Sequence, residues 1–297
     1  MTTETTAGAN PAIADLLAAM RASDSIELKL TVPTSSHRAT IASLPLDPVE
    51  TQPRQVFFFD TPDLKLNGAG IVVRARRIQG GRGDTVIKLR PVVPAELPAE
   101  LRQSAAFNVE VDVLPGFLGV CSGSLKGKIP NDDVRDAVAG GRPFRKLFSK
   151  EQRAFYAQHA PAGIDIDSLT VLGPTFVLKG VFTPEKLGRR FVAEVWLYPD
   201  GQRILELSTK CLPNEAFQVA ADARAYLQSH GVPMDGIQQT KTRTALEFYS
   251  AELQAGANAG SLNAASNGAQ PKAATTPRRR TTSRTTSRAT SRTTAKR

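Results

Sequence analysis

A chain of 297 residues, 41% of them apolar, has room for one large domain or two ordinary ones around a real core. Its net charge of +10 is local. Nine Lys/Arg and no acid lie between Lys272 and Arg297, which leaves only +1 on the first 271 residues, so the basic pI does not mark the body as a nucleic-acid binder. Cys121 and Cys211 lack metal or redox spacing and the three histidines are scattered, which argues against a disulfide scaffold and a histidine-ligated metal. The N-terminus lacks a basic n-region and no run of about eighteen apolar residues occurs, so a cytoplasmic protein without a membrane span is expected.

Taken in chain order, residues 1–22 read as a polar extension ending in a short helix over Ala12–Arg21. From 23 to 250 strand signals dominate, because apolar and polar residues alternate with period two. SIELKLTV sets Glu27, Lys29 and Thr31 opposite Ile26, Leu28 and Leu30. In IVVRARR, Arg74 and Arg76 share a face, and in TVIKLR so do Lys88 and Arg90; GGRGD between them reads as a hairpin turn. FNVEVDV carries Glu110 and Asp112, FVAEVWLY carries Glu194 and Trp196, and RILELSTKC carries Glu206, Ser208 and Lys210. QRAFY with Arg153 and TFVLKGV with Lys179 are weaker strand candidates, bringing the expectation to eight strands.

Pro94–Ser104 and Asn131–Arg145 read as non-strand, with Asp132-Asp133 as a helix start, and Asn214–His230 as a helix covering the sheet. GSLKGKI (Gly123–Ile129) differs from a phosphate-binding P-loop by one spacer residue and by Ile in place of Ser/Thr, so it reads as a plain loop. After Ser250, residues 251–297 read as a small polar linker and a disordered Arg/Thr/Ser-rich tail with a TTSR-type repeat. Tail residues 272–297 would bind nucleic acid or other polyanions non-specifically, and the Arg280/Ser283, Arg284/Ser287 and Arg288/Ser291 spacings match basophilic kinase sites.

The polar faces hold ions in blocks: E-x-K, R-x-R, K-x-R, E-x-D, E-x-S-x-K. A solvated sheet face mixes its polar residues without such sorting. Four cations on one face repel unless something anionic lies among them. A closed barrel with both signs of charge inside accounts for the pattern, with carboxylates binding a divalent cation and Arg/Lys the oxygens of a phosphate chain.

These segments resemble the CYTH domain of the triphosphate tunnel metalloenzyme superfamily. FFDTPDLKLNGAGIVVRARR is similar to that family's YFDTPDxxLxxxGxxLRxR block, and the stretch from ILELSTK to TKTRTALEFY resembles its polyphosphate-polymerase (VTC-type) branch. The resemblance implies an α+β, mainly β fold: an eight-stranded antiparallel closed tunnel with helices packed outside. It implies Mg²⁺ or Mn²⁺ held among Glu27, Glu110, Asp112, Glu194 and Glu206, and substrate phosphates held by Lys29, Arg74, Arg76, Lys88 and Arg90, with Arg153, Lys210, Lys241 and Arg243 in support. Glu27 and Lys29 are the catalytic candidates. Ser25 stands where the family's first-strand motif has its first acid, and Trp196 where a second carboxylate is common.

The expected activity is divalent-metal-dependent hydrolysis of a triphosphate or polyphosphate. Polyphosphate synthesis or class IV-type adenylate cyclisation would use the same tunnel. A non-catalytic binder of polyphosphate or RNA is the reading from another class, and Ser25 and Trp196 favour it.

Overall fold

A computed structural model of the chain describes residues 11–267 except 117 and 239. The chain divides into a compact unit up to Ala255 and a remainder from Gly256. Within the first unit the strands are β1 (Ser25–Val32), β2 (Gln52–Asp60), β3 (Ile71–Ile78), β4 (Gly83–Leu89), β5 (Phe107–Leu114), β6 (Leu118–Ile129), β7 (Thr170–Phe182), β8 (Phe191–Leu197) and β9 (Arg203–Cys211). The helices are α1 (Pro11–Arg21), α2 (His37–Ser43), α3 (Lys65–Gly68), α4 (Ala99–Gln103), α5 (Asn131–Val138), α6 (Lys150–His159), α7 (Ala216–Ser229) and α8 (Lys241–Asn267).

The strands close into a barrel in the order β1-β5-β6-β4-β3-β2-β7-β8-β9. This corrects the expected eight antiparallel strands to nine strands in a mixed sheet. The two findings are linked: directions cannot alternate all the way round a ring with an odd number of strands, so at least one neighbouring pair must run parallel. That pair is β1–β5, with Glu27 beside Asp112 and Ser25 beside Glu110.

Three local readings change with the count. QRAFY is part of α6, because Ser149 and Gln152 form a capping box that starts a helix there. Gln152 is buried and also bonds Thr85 and the carbonyl of Leu125. Two strands take the place of QRAFY: RQVFFFD lies in β2, and GSLKGKI lies within β6. Gly123 is a close-approach position: a Cβ there would come within 2.6 Å of the Phe107 ring. Glycines that suggested a loop are instead the places where the strand passes under bulky side chains.

The apolar core lies outside the barrel. Outward residues such as Phe57, Phe59, Val73, Ile87, Val109 and Val111 pack under Leu16 and Met20 of α1, Val134 and Ala137 of α5, and Phe155 of α6. Burying one such phenylalanine is worth about 1.5–3 kcal/mol, so this shell is the main cohesive element of the fold. A second cluster joins Leu205, Leu207 and Phe191 to Ala223 and Leu227 of α7. On α7 it is Ala216 and Val219 that join the first cluster, while Phe217 is exposed.

One apolar group sits inside. Val56 and Phe58 pair in register with Arg76 and Arg74, so they share the inward face. With Trp196 they pack against Ala245, Leu246 and Tyr249 of α8. This helix therefore fills part of the barrel interior and brings Lys241 to the cavity. Its backbone continues to Asn267, where composition suggested a linker from 251; the alanines of this stretch favour helix. The basic tail 272–297 lies outside the described residues. Among the described residues no helix is long and apolar enough to cross a membrane.

Candidate functional site

Register alone assembles the site. Paired residues on adjacent strands point to the same face. Glu27 pairs with Asp112 and with Lys210, Lys29 with Ser208, Glu206 with Glu194, and Glu194 with Lys179. Across the barrel, Lys88 pairs with Ser124 and Val72, and Val86 with Lys126 and Arg74. The inward face is thus a continuous belt of ions around a cavity of ≈ 270 Å³. Ten Lys/Arg and five Asp/Glu line it, a surplus of five positive charges. A neighbouring cavity shares Glu27, Lys179, Glu194 and Lys210 with it and adds Arg189 and Arg190.

The carboxylates form two groups. Glu27, Glu110 and Asp112 offer oxygens that all lie within 4.8 Å of one another. Lys29 joins Asp112 (2.9 Å) to Glu27 (3.2 Å), and Lys210 contacts Glu110. Asp112, only 3% exposed, also faces Arg90 at 3.5 Å and Lys88 at 3.9 Å. Burial opposes its charge, but Lys29, Lys88 and Arg90 outweigh burial and hold its carboxyl well below the usual range. Burial likewise opposes ionisation of Glu27, and Lys29 and Lys210 overcome it. Ser25 donates its hydroxyl to Glu110 Oε2 at 3.3 Å.

The second group is Glu194 and Glu206, bridged by the ammonium of Lys241, which contacts Glu194 and lies 2.8 Å from Glu206. Trp196 is buried, donates Nε1–H to Glu194 at 3.2 Å and places its ring 5.2 Å from that ammonium. Its packing role is therefore joined to the ion pair.

The cavity cations differ in how they are matched. Arg76 is paired with Asp84 across the β3–β4 hairpin, Nε to Oδ1 2.9 Å. Arg74 has no ion pair or hydrogen bond among the described residues; its Nε is buried without a partner, and burial followed by repulsion from Arg76 lowers its pKa to about 10. Burial lowers Lys88 to about 8 against the attraction of Asp112. Lys179 also falls to about 8, through burial and then Arg54.

Arg54, Lys126 and Lys179 line the cavity and were not among the residues expected there. Lys179 was visible on a weak strand and Lys126 within GSLKGKI; their period-two spacing was the usable signal. Two expected residues are elsewhere. Arg153, on α6, donates to the carbonyls of Arg145 and Phe148. Arg243, 73% exposed, pairs with Glu247 one turn along α8. Both positions follow from the family resemblance, and for Arg153 also from reading QRAFY as a strand.

The DTPDLKLNGAG segment acts on the site through the backbone. Buried Asp60 accepts N–H bonds from Thr61, Leu66 and Asn67 at 2.7, 2.9 and 2.9 Å, which caps the tight turn at α3. Gly70, at φ 75°, follows that turn and accepts the N–H of Arg90 at 2.8 Å. The motif thus fixes where Arg90 leaves β4.

Three hard oxygen donors suit Mg²⁺ or Mn²⁺. Carboxylate oxygens that all lie within 4.8 Å of one another could converge on one such ion.

No protein-family model matches the chain, and no curated protein matches it. Solved structures do. One is the Hippeastrum protein HpAC1, a candidate adenylyl cyclase with a dominant triphosphatase activity: TM-score 0.56, 16% identity, covering 74% of this chain and 93% of that one. Another is a candidate adenylate cyclase from Bacillus halodurans: TM-score 0.52, 14% identity, covering 74% and 97%. The chain shares the fold of these two structures, here a closed barrel of mixed strands. In this barrel the cationic positions read from the sequence, Lys29, Arg74, Arg76, Lys88, Arg90, Lys210 and Lys241, meet all five carboxylates in one cavity.

Proposed function

We propose that the tunnel binds the phosphoanhydride chain of a triphosphate or short polyphosphate with Mg²⁺ or Mn²⁺ and hydrolyses it. The observation that carries this reading is the surplus of five positive charges around one ≈ 270 Å³ cavity, with Arg74 half-buried on its wall, its Nε enclosed and no ion pair to it among the described residues. An unpaired cation withdrawn from water is costly. It is retained where a ligand supplies the missing anion, and phosphate oxygens match the guanidinium fork.

Arg54, Arg74, Lys126 and Lys179 would hold equatorial oxygens, because among the described residues no carboxylate pairs with them. Glu27, Glu110 and Asp112 would hold the metal, which supplies charge neutralisation and a bound water of lowered pKa. Glu27, kept ionised by Lys29 and Lys210, accepts a hydrogen bond from the attacking water, and Lys29 orients it. Phosphoryl transfer asks for little more than positioning and charge stabilisation, which a rigid ionic belt provides. The triphosphatase activity of the Hippeastrum protein supports this reading.

The test is phosphate release from triphosphate, ATP, thiamine triphosphate and polyphosphate with Mg²⁺ or Mn²⁺. Release abolished in Glu27→Ala supports it; no release by wild type with either metal sinks it. The names of both similar structures favour a second reading, cyclisation of ATP, and chromatography of the products distinguishes the two.

A further inference from the structure

We propose that the ammonium of Lys241 takes the place of a second divalent cation, so that the tunnel is built for one metal ion per chain. This rests on the metal–triphosphate reading above and deepens it by assigning the number of ions and the residue that sets it.

Glu194 and Glu206 are register partners on β8 and β9, two carboxylates side by side on one inward face. Like charges in that relation repel. A cation must lie between them, and a bound divalent ion is one way to supply it. Here the chain supplies its own. Lys241 comes from α8, outside the sheet, and its ammonium contacts both carboxylates. The Trp196 ring walls it in, and Trp196 Nε1–H takes up the same Glu194 Oε2 that the ammonium contacts. The backbone at this point is also fixed: the Tyr198 hydroxyl donates to the Lys241 carbonyl at 3.0 Å, and Ala245, Leu246 and Tyr249 anchor the next turns.

The other carboxylate group is different. It has a third carboxylate. Lys29, 15% exposed, bridges Glu27 and Asp112 and stays in place. Lys210, which faces Glu110 and Glu27, is 52% exposed against 17% for Lys241, so it can swing to solvent or to a bound anion. That leaves three carboxylates with one fixed ammonium, a net of two negative charges for a metal. Lys241 has no such exit. A tethered ammonium costs no capture from solution and cannot be removed by a chelator. The tunnel therefore holds an exchangeable ion at Glu27, Glu110 and Asp112 and a permanent one at Glu194 and Glu206.

The experiment is titration of the full chain with Mn²⁺ alone, followed by electron paramagnetic resonance and calorimetry. One tightly bound Mn²⁺ is expected for wild type and Lys241→Arg, two for Lys241→Met, and one again for the Glu194→Gln/Lys241→Met double variant. Two tight ions in wild type overturn the proposal, as does an unchanged count in Lys241→Met. No ion in wild type but one in Lys241→Met sustains the role of Lys241 while sinking the metal reading of the Glu27 group. Should Lys241→Met fail to fold without metal, refolding in Mn²⁺ supports the proposal and continued unfolding in saturating Mn²⁺ overturns it.

Discussion

Arg90 donates its backbone N–H to the carbonyl of Gly70 at 2.8 Å, and a Cβ added at Gly70 would come within 2.6 Å of the Arg90 carbonyl oxygen. A residue at positive φ, in contact with the backbone of a cavity cation, ties the tight turn to the site.

Gly70→Ala should therefore do two things. A left-handed φ costs a non-glycine residue about 1–2 kcal/mol before the clash is counted. Thermal unfolding should show a loss of at least that size. Triphosphate affinity measured on the folded fraction should also fall, because Arg90 must move; an unchanged affinity would separate the turn from the site.

Arg74→Met should separate binding from stability. Removing a half-buried, unpaired guanidinium relieves its desolvation, so the unfolding midpoint should hold or rise. Loss of a charge-assisted phosphate contact, worth about 1.5–3 kcal/mol, should weaken triphosphate binding by about 10- to 150-fold. Arg153→Ala and Arg243→Ala, away from the cavity, should leave affinity unchanged in the same calorimetric titration.

Asp112→Asn leaves Lys29, Lys88 and Arg90 facing one another without their shared carboxylate. Breaking a buried pair from one side costs about 3–5 kcal/mol. Chemical denaturation should show a loss of that order, and added triphosphate should restore part of it by supplying anionic oxygens. A variant as stable as wild type would show that Asp112 is not the hub of the charge belt.

The pH dependence has two limbs. Asp112, Glu194 and Glu27 have folded pKa values below their unfolded ones, so their stabilisation is complete above the unfolded carboxylate pKa, near 4, and is lost as pH falls below it. Lys88 and Lys179 fall to about 8 from 10.5. Between those values the unfolded chain holds protons that the folded chain has released, so these two lysines add stability to the free protein as pH rises from 8 towards 10.5. Cys121, raised from 9 to about 11 by burial, works the other way above pH 9. Anion binding needs both ammoniums, so triphosphate affinity should fall across that same interval. Calorimetric titrations at pH 7 and 9.5 test it; equal affinity at both would remove Lys88 and Lys179 from the binding set.

The sequence by itself determined which side chains face inward on most strands. Side-chain alternation is a property of the extended backbone, so Glu27, Lys29, Arg74, Arg76, Lys88, Glu110, Asp112, Glu194 and Glu206 could be assigned to one face before any strand was paired. The DTPDLKLNGAG motif was legible for the same reason: a capped turn and a positive-φ glycine are local. The tertiary structure decided what depends on contacts between distant segments. Closure fixed nine strands and therefore a parallel β1–β5 pair. Gly123 and Gly127 read as loop residues because the side chains that need the space, Phe107, Gln152 and Thr85, lie elsewhere in the sequence. Lys241 meets Glu194 and Glu206 only because apolar packing draws α8 into the barrel, and Arg243, two residues on, points away by helical geometry. Strand period is written in neighbouring residues; partnership between ions is written in the packing that brings them together.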